Sequence, residues 1–150
     1  MRDIMELCDV VRQTAYDIHV YHGHGHFEKV YENALAHWLR KIGIEVRQQH
    51  QIDVFDEDGT PIGDYKADLI VDNRLLIELK ACRTIIDEHV DQTLGYMKSA
   101  RFEHGLLINF GSAKFEIKKY VLSKFLNRGS LPSTVNSVLS FFAIFAFFRG

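Results

Sequence analysis

At 150 residues, with 47% hydrophobic and 25% charged side chains, the chain has the length and composition of one folded domain, which excludes general disorder. Its 18 basic and 20 acidic residues leave a formal net charge of −2. The strong basic excess of an indiscriminate duplex binder is therefore absent, and any nucleic-acid contact must come from a local patch. Cys8 and Cys82 lie far apart, so neither a disulfide framework nor a zinc ribbon is indicated. The start lacks the apolar stretch of a signal peptide, and no run reaches the roughly 20 apolar residues of a membrane span. A reduced, cytoplasmic setting is expected.

Ile4, Leu7, Cys8, Val11, Ala15 and Ile18 recur at helical spacing, so the first segment reads as an amphipathic helix that stops in the glycine-containing stretch 21–25. A second helix carries Phe27, Val30, Tyr31, Ala34, Leu35, Trp38, Leu39 and Ile42 on one broad stripe and is capped near Gly43. From Ile44 the period changes to two. Ile44, Val46, Ile52 and Val54 predict a strand or hairpin arm, closed by the turn Asp56-Glu57-Asp58-Gly59, with Pro61-Ile62-Gly63 extending the loop. Strands follow over 64–71 and 75–81. A helix over about 85–99 then carries Ile86, Val90, Thr93, Leu94 and Met97 inward, followed by strands over 106–110 and 115–120. The predicted order gives a single mixed α/β domain over 1–126. Residues 127–150 read as a linker and a Phe-rich tail.

The chemistry concentrates in the middle strands. Alternation puts Lys66, Asp68 and Ile70 on one face of their strand, with Tyr65, Ala67, Leu69 and Val71 on the other. In the next strand Leu76, Glu78 and Lys80 share a face. Pairing the two strands as a hairpin brings Asp68 near Glu78 and Lys80. Two carboxylates converging beside a lysine suit a hard cation such as Mg²⁺ or Mn²⁺, with the lysine orienting an attacking water and offsetting phosphate charge. An exposed strand face with alternating Glu and Lys is the bland alternative, but the apolar neighbours Leu76, Ile77 and Leu79 mark a central strand where buried charge needs a partner. Glu28 and Tyr31 on the second helix flank the same region, as do His89, Gln92 and Tyr96 on the later helix. Such groups would surround a site between helix and sheet, shaping it or touching substrate. Capping and helix-edge solvation are the alternatives for each.

At Gly25-His26-Phe27-Glu28-Lys29-Val30-Tyr31 the sequence resembles the pattern that names the GxxExxY proteins. The similarity continues through Tyr65–Val71, Leu76–Ala81, His89–Gln92 and Gly105–Gly111, and covers roughly residues 3 to 122. That family looks like a compact branch of the PD-(D/E)XK nuclease superfamily, a restriction-endonuclease-like mixed sheet flanked by helices. The resemblance implies Asp68, Glu78 and the Leu79 carbonyl as metal ligands, Lys80 as the catalytic lysine, and Glu28 as an acidic helper. It also implies that Gln92 and Tyr96 form a Gln-x-x-x-Tyr helix beside the site. Ala67 stands where the superfamily name has proline.

The expected function is metal-dependent hydrolysis of phosphodiester bonds, with DNA as the partner nucleic acid. A homodimer is the further partner considered, since two-fold pairing is a common way to place two sites on opposite strands. The alternative is an adaptor that keeps the fold and binds nucleic acid or protein without cutting. A third reading is self-association through the Phe-rich tail. His19, His22, His24 and His26 suggest a transition-metal loop or, as the blander reading, solvated histidines. Lys114, Lys118, Lys119, Lys124 and Arg128 suggest a basic surface or merely a solvated face.

Overall fold

The computed structural model describes residues 1–122, so the 127–150 tail, the boundary before it, Lys124 and Arg128 lie outside the described residues. Helix α1 (Ile4–His22) begins at Asp3, whose carboxylate accepts the Met5 N–H while Glu6 reaches back to the Asp3 N–H. This reciprocal cap satisfies two donors that a helix start leaves open. Gly23, at φ +68°, ends the helix in a conformation that favours glycine. Helix α2 (Glu28–Lys41) follows, and Gly43 (φ +80°) turns the chain into the sheet.

Strands β1 (Val46–Phe55) and β2 (Pro61–Val71) form a long antiparallel hairpin. The expected loop at Pro61–Gly63 is instead the start of β2: Gly63 pairs with Val54 and Pro61 with Phe55 across a register irregularity. Proline is tolerated there because the first residue of a strand need not donate to the ladder. Between β2 and β3 (Leu75–Lys80), Asp72 and Asn73 both take positive φ, as a type I′ hairpin turn requires, and Arg74 N–H closes on the Val71 carbonyl at 3.0 Å. Strand β4 (His104–Asn109) runs parallel to β3, so the chain must cross over, and α3 (Asp87–Ala100) supplies the crossover. Strand β5 (Glu116–Val121) completes a sheet of order β1-β2-β3-β4-β5, mixed and five-stranded.

Both faces of the sheet are covered. Leu7, Val11, Ile18, Tyr31, Leu35 and Leu39 of α1 and α2 pack with Leu69, Val71, Ile77, Leu79, Ile108 and Phe110 on one side. On the other, Met97 of α3 packs with Ile52, Ala67, Ile70, Leu76 and Leu107. The predicted stripe of α2 is narrower than its sequence suggests, since Phe27, Val30 and Ile42 are exposed. In α3 the inward residue is not Ile86, which is exposed at the helix start, but Ile85 just before it.

Candidate active site

Strands β2 and β3 pair over only three rungs, from Val71↔Leu75 to Leu69↔Ile77. Beyond that point side chains take over the ladder. Glu78 Oε1 accepts the Asp68 N–H at 3.1 Å, and Asp68 Oδ2 accepts the Leu79 N–H at 2.8 Å. These bonds satisfy buried backbone donors that the parted strands no longer pair, and they lock both carboxylates into the gap. The alternation expected along β2 breaks at the same place. Ala67 packs with Ile70 on the α3 side, whereas Leu69 and Val71 face α1 and α2. Across from Asp68, the β1 ladder passes from Gln48↔Leu69 to His50↔Ala67 and omits Gln49, whose φ is +50°.

Asp68 and Glu78 are 9% and 3% exposed, so both carboxylates sit where ionisation is costly. Burial, reinforced by the neighbouring Asp68 charge, pushes Glu78 up to about 9. Asp68 is raised by burial and by Glu32, with the Leu79 N–H and Lys80 acting in the opposite direction. Glu28, at the start of α2, is raised by its own burial and by Asp68. These three acids hold their protons more tightly than free carboxyls, despite the attraction of Lys80 for all three.

Lys80 Nζ donates to Gln92 Oε1 at 3.1 Å, and Gln92 Nε2 donates to the Tyr96 hydroxyl at 2.9 Å. The four-residue spacing places Gln92 and Tyr96 on one side of α3. Tyr96 stacks on Tyr65 of β2 with ring centroids 4.7 Å apart, and its hydroxyl is raised, first by burial.

Asp68, Glu78, Lys80, Gln92 and Tyr96 therefore meet in one region, with Glu28 coupled to it electrostatically. Tyr31 does not join them through its polar end. Its hydroxyl donates to the Gly23 carbonyl (2.6 Å) and accepts the His26 N–H (3.2 Å), while its ring stacks on Phe110. His89 caps α3, with Nδ1 accepting the Ile86 N–H at 3.2 Å, and is lowered by burial and by Lys80. Two residues beyond the sequence expectation enter the site: buried Glu32 of α2 and Gln49 of β1. Glu32 continues the helix motif four residues after Glu28, so its spacing was a signal; Gln49 left none.

A family model described as the PD-(D/E)XK nuclease superfamily matches residues 5–120, most of the chain. The chain belongs to the PD-(D/E)XK nuclease superfamily. No curated protein and no solved structure is a significant match. The five-stranded mixed sheet with helices on both faces agrees with the restriction-endonuclease-like fold of this superfamily, and membership assigns a nuclease-type function at the level of class. Among the described residues, no helix is long and apolar enough to cross a membrane.

Superfamily nucleases generally use divalent metals. Among the described residues no three His, Cys, Asp or Glu side chains are grouped to hold a metal, so the fit rests on Asp68, Glu78 and main-chain oxygen. That donor set is hard, and two buried carboxylates with raised proton affinity are short of positive charge, which a divalent cation supplies. The histidine loop has a different arrangement. His19 is buried with Nε2 at 2.8 Å from the Ser112 carbonyl, while His22 and His26 contact each other edge to face. The basic surface expected near the last strand is also interrupted: Lys119 is 2% exposed, its Nζ against Met5 Sδ at 2.7 Å.

Proposed function

We propose that this PD-(D/E)XK protein hydrolyses phosphodiester bonds in DNA with Mg²⁺ or Mn²⁺ as cofactor. The observation that carries this reading is the interlocked pair Asp68 and Glu78 at the strand split, with Lys80 two residues on and tethered by Gln92. Asp68, Glu78 and the Leu79 carbonyl would hold the cation, which when bound polarises the phosphoryl oxygen and stabilises the leaving oxyanion.

The chain's own residues do the rest. Lys80 orients the attacking water and offsets charge on the phosphate, and its ammonium is steered by the Gln92 amide, itself oriented by the Tyr96 hydroxyl. Glu28 takes up a proton near the reacting groups, a role suited to a carboxyl whose proton affinity is raised. Tyr65 is 43% exposed beside Tyr96 and offers an aromatic surface for a base.

The test compares wild type, Asp68→Ala and Lys80→Ala by Mn²⁺ titration and by cleavage of duplex and single-stranded DNA and RNA. Wild type should bind and cut DNA. Asp68→Ala should lose binding and cutting. Lys80→Ala should keep binding and lose cutting by about a hundredfold or more. Folded wild type that cuts none of these substrates under Mg²⁺ or Mn²⁺ would refute the proposal.

A further inference from the structure

Gln49 is open to solvent, yet its backbone holds φ +50°, a conformation that glutamine rarely adopts. Core packing does not explain this, because the residue contributes nothing to either hydrophobic cluster. Its side chain does. The amide Nε2 lies 2.9 Å from Glu32 Oε2 and 3.3 Å from Asp68 Oδ1, bridging two carboxylates from different elements. Glu32 is 2% exposed, and its other oxygen accepts from Lys29 Nζ (2.8 Å) and Gln48 Nε2 (3.0 Å). The bridge is thus anchored on a side chain that is itself held on α2.

Asp68 is gripped from both ends. Oδ2 is fixed by the Leu79 N–H and Oδ1 by Gln49, so two bonds from opposite sides set the plane of the carboxylate. The positive φ in β1 falls at the residue facing Asp68, where the ladder omits a rung. We propose that Gln49 is a positioning residue for Asp68, its Glu32-anchored amide orienting that carboxylate to receive a divalent cation. This rests on the metal-site reading above, in which Asp68 is a ligand.

Two variants of the full chain test it, with Mn²⁺ titrated calorimetrically and no substrate present. Gln49→Gly removes the amide and also the backbone strain, since glycine adopts positive φ freely. Gln49→Met keeps the length and the strain but donates nothing. Both should weaken Mn²⁺ binding by about tenfold, the usual scale for losing a group that orients a ligand. The melting temperature of metal-free Gln49→Gly should equal or exceed that of wild type. Wild-type affinity in both variants would overturn the role of Gln49 and leave the metal site standing. Affinity that falls only in step with a lowered melting temperature would assign Gln49 a merely structural role and overturn the proposal. A folded wild type that binds no Mn²⁺ would remove the metal-site reading, and this inference with it.

Discussion

The Glu78→Gln substitution removes one buried titratable proton while keeping the side chain's volume and an oxygen for the Asp68 N–H. Glu78 is 3% exposed and raised from an ordinary value of 4.5 to about 9. Below pH 4.5 both the folded and unfolded states keep the proton, and the stabilisation linked to it is fully present. As pH rises beyond that point the unfolded chain releases its proton while the folded protein retains it. Stability then falls by about 1.4 kcal/mol per pH unit until the folded group titrates near pH 9. By pH 7 the loss is on the order of 3 kcal/mol, a large share of the 5–15 kcal/mol typical of a domain. Glutamine carries no such loss. The stability of Glu78→Gln relative to wild type should therefore climb between pH 5 and pH 8, measured by urea unfolding in the presence of a chelator. Mn²⁺ in large excess should reverse the order at pH 7, because a cation at a thousand times its dissociation constant adds about 4.1 kcal/mol to the protein that binds it. A stability difference that stays constant across this pH range would refute the assignment of Glu78 as a buried acid holding its proton.

Tyr31→Phe removes the bonds to the Gly23 carbonyl and the His26 N–H, both within reach of water, so the denaturation midpoint should fall by the equivalent of about 0.5–1.5 kcal/mol. A Cβ at Gly111 would collide with the backbone of Ala81 and Cys82, and neither is the yielding end of a side chain. Gly111→Ala should cost about 3 kcal/mol or more, read as lost soluble yield or a lowered melting temperature. Asp53 and Asp64 face each other directly in the β1–β2 hairpin. Asp64→Lys replaces repulsion with attraction and should stabilise the protein by about 0.2–1 kcal/mol in chemical denaturation at low salt.

The α/β class and the order of elements were legible because they depend on local periods, and the expected Asp68, Glu78 and Lys80 do come together. Other expectations failed where chain neighbours do not decide burial. Phe27 and Val30 belong to an apolar stripe by spacing, but the sheet offers them no surface and they stay exposed. Tyr31 beside Glu28 suggested a role at the site, yet its hydroxyl turns away to tie down Gly23 and His26. Lys119 reads as a surface charge from its sequence neighbours, but the pleat of β5 turns it inward beside α1.

By itself the sequence determined that Asp68, Glu78 and Lys80 would lie together, because adjacent strands that carry them among apolar neighbours bring them to one partly buried place. It also determined the end of the first helix and the turn between β2 and β3, which are written in Gly23 and in Asp72-Asn73, where the backbone takes positive φ. Only the tertiary structure decided that β2 and β3 part after three rungs, that carboxylates replace the missing ladder, and that Gln49 and Glu32 brace Asp68. Those contacts join residues 10 to 19 positions apart. No period in the chain encodes such distances; they arise when β1, β2, β3 and α2 bring their polar side chains to one largely buried gap.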